Sequence, residues 1–217
     1  MSAAPALLDP PEVVDAASFA ARTGATPAQL ADLEQLLGML ADWNARLNLV
    51  SDASLTEFWP RHAFDSAQLR QLAPAARTWV DIGAGAGFPG LVLAILLKGD
   101  AGAKVHLVES VAKKCRFLEA VVEALALPAE VHNDRAERLS LKADAVTARA
   151  VAPLVRLLDF AKPYLNRGAV GLFLKGRGVE GEIAEARRAW RFTCNAIPSL
   201  SDPESRILKV EGLTRAR

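Results

Sequence analysis

Residues 80–93 read VDIGAGAGFPGLVL. An apolar run ends in Asp81, four glycines follow within eight residues (Gly83, Gly85, Gly87, Gly90), and Leu91 opens a second apolar run. This order predicts a strand, a tight turn and a helix N-terminus. Glycine lets a backbone approach a ligand where a Cβ would collide. The first turn of a helix offers unpaired N–H groups and a partial positive charge. A turn of this kind binds something at the edge of a sheet, or it is merely a tight strand-to-helix loop.

The grammar around the turn supports that reading. From Thr78 onward strand candidates alternate with helix candidates. The strands are expected at Thr78–Ile82, Lys104–Val108, Ala129–His132, Ala143–Ala148, Ala169–Leu174, Phe192–Ile197 and Arg206–Val210. The helices are expected at Gly90–Leu97, Val111–Leu125, Pro153–Leu165 and Val179–Ala189. Alternation means an α/β fold with a mostly parallel, doubly wound, Rossmann-like seven-strand sheet. The last two strands have no helix between them, so the final strand is expected to run antiparallel.

Residues 1–73 read as a helical N-terminal extension, and residues 74–217 as the sheet domain. In the extension, Thr26-Pro27-Ala28-Gln29 combines a cap hydroxyl, a proline at the first helical position and glutamine at the third. Leu30, Leu33, Leu36, Leu37, Leu40, Trp43 and Leu47 then recur at steps of three and four, an amphipathic helix to about residue 46. Ser54-Leu55-Thr56-Glu57 reads as a second capping box, opening a helix toward Leu72 that Pro60 kinks or restarts.

Composition narrows the class. The chain has 217 residues, 51% of them hydrophobic, enough for a sizeable core. No apolar run approaches the roughly 20 residues that span a bilayer, and the first residues lack the basic and apolar regions of a secretory signal. Two isolated cysteines, Cys115 and Cys194, make neither a disulfide framework nor a zinc site. No metal is expected, and the cytoplasm is the expected compartment. The net charge of +1 hides an asymmetry: residues 1–72 hold 4 Lys/Arg against 9 Asp/Glu, and residues 73–217 hold 22 against 16. The basic part is compatible with a polyanionic partner.

Two ligand classes compete for the glycine turn. Gly85-Ala86-Gly87-Phe88-Pro89-Gly90 fits the dinucleotide pattern G-x-G-x-x-G. The alternative is S-adenosyl-L-methionine, whose ammonium Asp81 would serve directly or through water. Glu109 ends the second strand, where a carboxylate accepts from both ribose hydroxyls, and both classes want it. Asp134-Arg135-Ala136-Glu137-Arg138 follows the third strand, at the adenine end of a nucleoside. No separate catalytic domain follows, and no hydride-transfer histidine or Tyr-x-x-x-Lys pair stands in a suitable place. The arrangement favours a methyltransferase.

Arg149 ends the fourth strand, near the methionine carboxylate or a nucleic acid. Lys175 ends the fifth, with Arg177 beside it in a glycine-rich turn, both suited to phosphate or a base carbonyl. Arg61, His62 and Asp65 sit at helical steps of one, three and four, a polar cluster able to cover the cofactor or meet RNA.

At this level of detail the chain resembles the small-subunit ribosomal RNA methyltransferase G family, also called the glucose-inhibited division protein B family. The resemblance is carried by Leu47-Asn48-Leu49-Val50, Arg61-His62-Ala63-Phe64-Asp65-Ser66, the Gly-Phe-Pro-Gly close of the glycine turn, and Val108-Glu109-Ser110 with Lys113-Lys114. Arg135-Ala136-Glu137, Thr147-Ala148-Arg149-Ala150 and Leu174-Lys175-Gly176 continue it. It runs from about residue 30 to residue 210. It implies a class I methyltransferase sheet and methylation of N7 of one guanine in the decoding-region 530 loop of 16S rRNA. It also implies Gly83, Phe88, Ala136, Glu137 and Arg149 as cofactor contacts, beside Asp81, Gly85, Gly87 and Glu109. The expected partner is 16S rRNA within the 30S subunit or an assembly intermediate.

The implied chemistry suits these residues. Guanine N7 is a lone-pair acceptor and loses no proton on methylation, so direct in-line attack needs alignment and dryness rather than a general base. After the fourth strand an amine methylase would show Asn/Asp-Pro-Pro-aromatic; Thr147-Ala148-Arg149-Ala150 stands there instead. The one Asp-Pro-Pro, at Asp9-Pro10-Pro11, lies in the extension, and neither cysteine follows a proline.

Overall fold

The computed structural model describes residues 12–216, and the Asp9-Pro10-Pro11 run lies outside them. Seven strands form one sheet: β1 (Thr78–Ile82), β2 (Lys104–Val108), β3 (Ala129–His132), β4 (Ala145–Arg149), β5 (Val170–Lys175), β6 (Trp190–Pro198) and β7 (Arg206–Arg215). Their order across the sheet is β3-β2-β1-β4-β5-β7-β6. The first five pair in parallel. β7 inserts between β5 and β6 and runs antiparallel to both, as expected of a final strand that arrives without a crossover helix. The order reverses between β1 and β4, so the crevice of a doubly wound sheet opens at their carboxyl ends.

The chain places α1 (Ala16–Thr23), α2 (Pro27–Leu47), α3 (Asp52–Thr56) and α4 (Asp65–Leu72) before the sheet. Within the sheet domain come α5 (Gly90–Leu96), α6 (Ala112–Ala124), α7 (Leu154–Leu165) and α8 (Val179–Ala189). One sheet face carries Trp79, Val105, Leu107, Leu172 and Leu174, packed with residues of α5 and α6 and with Phe19, Leu33, Leu36 and Leu40 of the N-terminal helices. The other face carries Val80, Val108, Val146, Phe173 and Leu208 under α7 and α8. The helices of the extension therefore share one core with α5 and α6. Each large side chain fully buried there, Trp79 or Phe117 for example, contributes about 1.5–3 kcal/mol.

Local differences from the sequence reading have physical causes. α1 is capped by Asp15 and Ser18 in a reciprocal box and closed by Gly24 in the left-handed region. The sequence holds those signals, but so short a helix shows little periodicity. The second helical start is not the expected box at Ser54. Ser51 caps α3 and accepts from the Ser54 N–H, and Asp52 puts an acid in the first turn. Residues 58–64 then form a π-helical turn, Phe58–Phe64, with Pro60 inside it. Proline has no N–H for a tight ladder, and the chain widens instead of simply kinking. β6 and β7 extend beyond their expected spans because they pair with each other from Trp190–Arg215 to Pro198–Arg206, across one irregularity at Arg191/Thr193.

The glycine turn is built from the inside. Asp81 is fully buried, accepting the Gly90 N–H at 2.9 Å and the Thr147 hydroxyl at 2.9 Å. A Cβ on Gly90 would strike Leu107 and stand 2.7 Å from the Asp81 carboxylate. Gly87 has φ +91°, and a Cβ there would overlap Leu91. Gly90→Ala is expected to cost about 1–3 kcal/mol as an overpacked site. Gly38→Ala, where a Cβ meets nothing within 4 Å on exposed α2, should stabilise by about 0.5–1 kcal/mol. Urea denaturation of both variants checks the contrast.

Candidate active site

A cleft of about 900 Å³ opens at the crevice. Its floor is the backbone of Gly83, Gly85 and Ala86, following β1. One wall is the π-helical turn with Arg61 and His62. Another is the loop after β4, Ala150 to Pro153, and a third holds Lys175 and Glu182. Glu109 stands at the end of β2.

Phe88 organises the inner wall. The His62 ring stacks on it at 4.4 Å between centroids and 8° between planes. The Arg149 guanidinium lies 5.2 Å from the centroid of the same ring. Arg149 donates to His62 Nδ1 at 2.6 Å and to the Arg61 carbonyl at 2.8 Å. Since Nδ1 accepts, the assigned proton of His62 is on Nε2. That nitrogen is buried without a partner. Burial, then Arg149 and Arg61, push the His62 pKa from 6.5 down to about 3. The ring is neutral across the physiological range.

Arg149 makes no ion pair among the described residues, and burial lowers its pKa. An arginine held by a neutral ring and a carbonyl keeps its charge for something else. Glu109 uses Oε2 for the Gly85 N–H at 3.0 Å and Oε1 for the Val111 N–H at 2.8 Å. It braces the turn while facing the cleft, and each oxygen keeps further acceptor capacity. Lys175 donates to the Ala152 carbonyl at 2.8 Å and to Glu182 at 2.7 Å. Two of its three protons are committed.

Of the residues singled out in the sequence, the cleft thus gathers Arg61, His62, Gly83, Gly85, Phe88, Glu109, Arg149 and Lys175. Five stand elsewhere. Asp81 lies beneath the turn, where burial raises its pKa to about 7 against the hydrogen bonds from Thr147 and Gly90. It shapes the site from below. Gly87 packs toward Leu91. Ala136 is buried in the core beside α7, its carbonyl accepting from Tyr164 at 3.4 Å. Glu137 is exposed, 4.0 Å from Arg135. Arg177 is 81% exposed and paired with Glu204. Glu182 is the residue the sequence reading passed over. It sits one turn into α8, and only the fold brings it to Lys175 and to the Leu154 N–H at 2.7 Å.

This arrangement, a glycine-floored crevice with an acid at the tip of β2 and a free guanidinium at the tip of β4, has relatives. The family model described as rRNA small subunit methyltransferase G matches residues 29–207. The chain belongs to that family. It is 59% identical over 210 residues to the ribosomal RNA small subunit methyltransferase G of Caulobacter vibrioides (strain NA1000 / CB15N), covering 97% of each chain. It is 47% identical to the protein so named from Parvibaculum lavamentivorans (strain DS-1 / DSM 13023 / NCIMB 13966), covering 94% of this chain and 92% of the relative. Among solved structures, a mutant of MtNAS in complex with S-adenosylmethionine aligns with a TM-score of 0.55 at 17% identity, over 91% of this chain and 84% of the other. A SAM-dependent methyltransferase from Aquifex aeolicus aligns at 0.52 and 15% identity, over 69% and 91%. At such identities the likeness is one of fold: this is the class I methyltransferase sheet.

The His62 environment carries a pH prediction. Its folded pKa is depressed, so the stability of the neutral stacked ring is present above pH 6.5 and is lost as pH falls toward about 3. Within that window wild type should lose about 1.4 kcal/mol per pH unit from this one group. His62→Gln, which keeps an acceptor for Arg149 and removes the titration, should lack that slope. Denaturation curves from pH 7 to pH 4 compare the two.

Proposed function

We propose that this chain, an S-adenosyl-L-methionine-dependent rRNA methyltransferase, methylates N7 of one guanine in 16S rRNA, presented by the 30S subunit or an assembly intermediate in the cytoplasm. The observation that carries the N7 reading is the state of the acids and the imidazole lining the cleft. Among the described residues, Asp65 accepts from Ser199 and Ser201, Glu109 from two backbone N–H groups, and Glu182 from Lys175 and Leu154. His62 Nδ1 faces Arg149, and Nε2 is closed off. These acids are engaged in holding the fold and the imidazole faces a guanidinium, which suits a nucleophile with no proton to lose. Guanine N7 has none to give up, and its acceptor lone pair is ready as it stands.

The residues fit the cofactor. It supplies an electrophilic methyl group on a sulfonium. The unpaired Arg149 guanidinium suits its carboxylate. Glu109 suits the ribose hydroxyls, and the bare backbone at Gly85, where a Cβ would meet only the Gly83 carbonyl at 3.6 Å, admits a ligand to backbone distance. Phe88 and His62 form a flat, neutral surface that excludes water beside Arg149. That dryness strengthens any charge interaction made there. Because no anion develops on the base, the chain needs no oxyanion donors, and positioning carries the rate. Ala136 and Glu137, at the carboxyl end of β3, would flank the adenine end beyond the cleft proper.

For the RNA, Arg61 is exposed at the rim, paired with Glu57 at 3.5 Å. Lys175 retains one free proton, and Arg177 projects beyond it. These suit phosphates and the guanine O6. With so small a basic surface, the shape of a ribosomal particle would supply part of the selection.

Incubation with methyl-labelled S-adenosylmethionine and small subunits from a strain lacking the gene, followed by digestion to nucleosides, tests the reading. The label is expected in 7-methylguanosine and should vanish with Gly83→Asp. Label in another nucleoside would overturn the N7 assignment. No label with cofactor binding intact would overturn the RNA substrate. Equal rates on naked RNA would remove the particle requirement. Arg149→Met should weaken cofactor binding by at least about tenfold, the loss of one charged partner worth about 1.5–3 kcal/mol. Isothermal titration measures it.

A further inference from the structure

Away from the cleft, the free edge of the sheet carries a second cluster of chemistry-bearing side chains. His106 lies in the middle of β2 and His132 at the end of β3. The two are far apart in sequence, and only the parallel pairing joins them. The register sets His106 opposite Glu130 and Val108 opposite His132. Residues two apart on a strand share a face, so His106, Glu130 and His132 project together. The face is the one that Val108 shares with the α7 side of the core, opposite the α6 side where Val105 and Leu107 pack.

The ligand atoms converge. His106 Nδ1 and His132 Nε2 stand 2.9 Å apart, and Glu130 Oε1 is 3.9 Å from His132 Nε2. One nitrogen or oxygen from each of the three lies within 4.8 Å of the others. In a tetrahedral zinc site with Zn–N near 2.1 Å, two nitrogens stand about 3.4 Å apart. A rotation of a few tenths of an ångström opens the pair to that spacing. Both rings are half-buried and Glu130 is exposed, which leaves a fourth position to water.

We infer that His106, His132 and Glu130 form a binding site for a divalent transition-metal ion of the zinc class. Two imidazoles and one carboxylate are the donor set that such an ion prefers, whereas magnesium and calcium prefer all-oxygen sites. An ion would have to replace the hydrogen bond that the two rings share and compete with Lys104, on the same face, whose ammonium holds Glu130 Oε2 at 3.0 Å. That leaves Oε1 toward the rings. The consequence is structural. The His132 carbonyl accepts the Glu109 N–H at 3.0 Å, and Asn133 donates to the Glu109 carbonyl at 3.1 Å. An ion bridging β2 and β3 would clamp the edge strand beneath the acid that faces the main cleft.

Equilibrium dialysis of the chelator-stripped full chain against Zn²⁺ tests the site. A titration with Co²⁺, read by its visible absorption, reports the ligand type. Saturable binding of one ion per chain is expected, with a nitrogen–oxygen Co²⁺ spectrum lacking thiolate bands. His106→Gln and His132→Gln should each weaken binding by about tenfold or more. Glu130→Gln should weaken it less, and Cys115→Ser with Cys194→Ser should leave it unchanged. Circular dichroism verifies that the surface variants are folded. Zn²⁺ should also raise the unfolding midpoint of wild type but not of His132→Gln. Absence of saturable binding, or binding that survives both histidine substitutions, would overturn the inference.

Discussion

One buried carboxylate holds the active-site architecture together. Asp81 sits at the end of the central strand with no access to water, and its two oxygens tie the start of α5 and the adjacent strand β4 to one point. Burying a carboxyl group is costly unless its hydrogen bonds are made, and here both oxygens are satisfied. The glycine turn is thereby closed over a fixed base, with Gly90 drawn so near that no side chain fits. Glu109 performs the same service from the neighbouring strand by accepting from Gly85. Two acids thus hold the backbone amides of the turn, Asp81 from below at Gly90 and Glu109 from the side at Gly85.

The N-terminal helices complete the site. The π-helical turn delivers the His62 ring to Phe88 and the Arg61 carbonyl to Arg149. Widened helical turns of this kind often mark functional sites. The result is a half-buried arginine at the cleft with no ion pair among the described residues. Holding it costs stability: Arg149 is poorly solvated, and His62 keeps an unpartnered N–H. Strain of this sort persists where the surrounding packing over-determines it. Here Phe19, Trp59, Phe58 and Phe88 provide that packing in a chain of aromatic contacts.

Much of this was legible in the residues. The glycine turn, the ends of β1, β2 and β3, the long helix α2 and the antiparallel last strand all follow from local patterning, and the structure reproduces them. Local pattern is strongest where apolar periodicity and special residues agree. It failed at Ser51–Phe64, where two serines offer rival caps and a proline permits more than one outcome. Among the site residues, those at strand ends were legible because strand ends meet at a crevice in any doubly wound sheet. Glu182 and the two edge histidines were not, because helix rotation and strand register bring them to their partners.

Local pattern in the chain suffices for the class of fold and for the position of the glycine turn at the sheet edge. These depend on periodicity, on glycine and on the order of strands and helices, all of which are local. The division of labour among these side chains comes from packing. It placed Asp81 under the turn, left Arg149 without an ion pair among the described residues, committed Glu182 to Lys175, and set His106 beside His132. The reason is geometric: whether a charge faces a ligand or a neighbour depends on which side chains converge within about 3 Å, and convergence between distant segments is a property of packing.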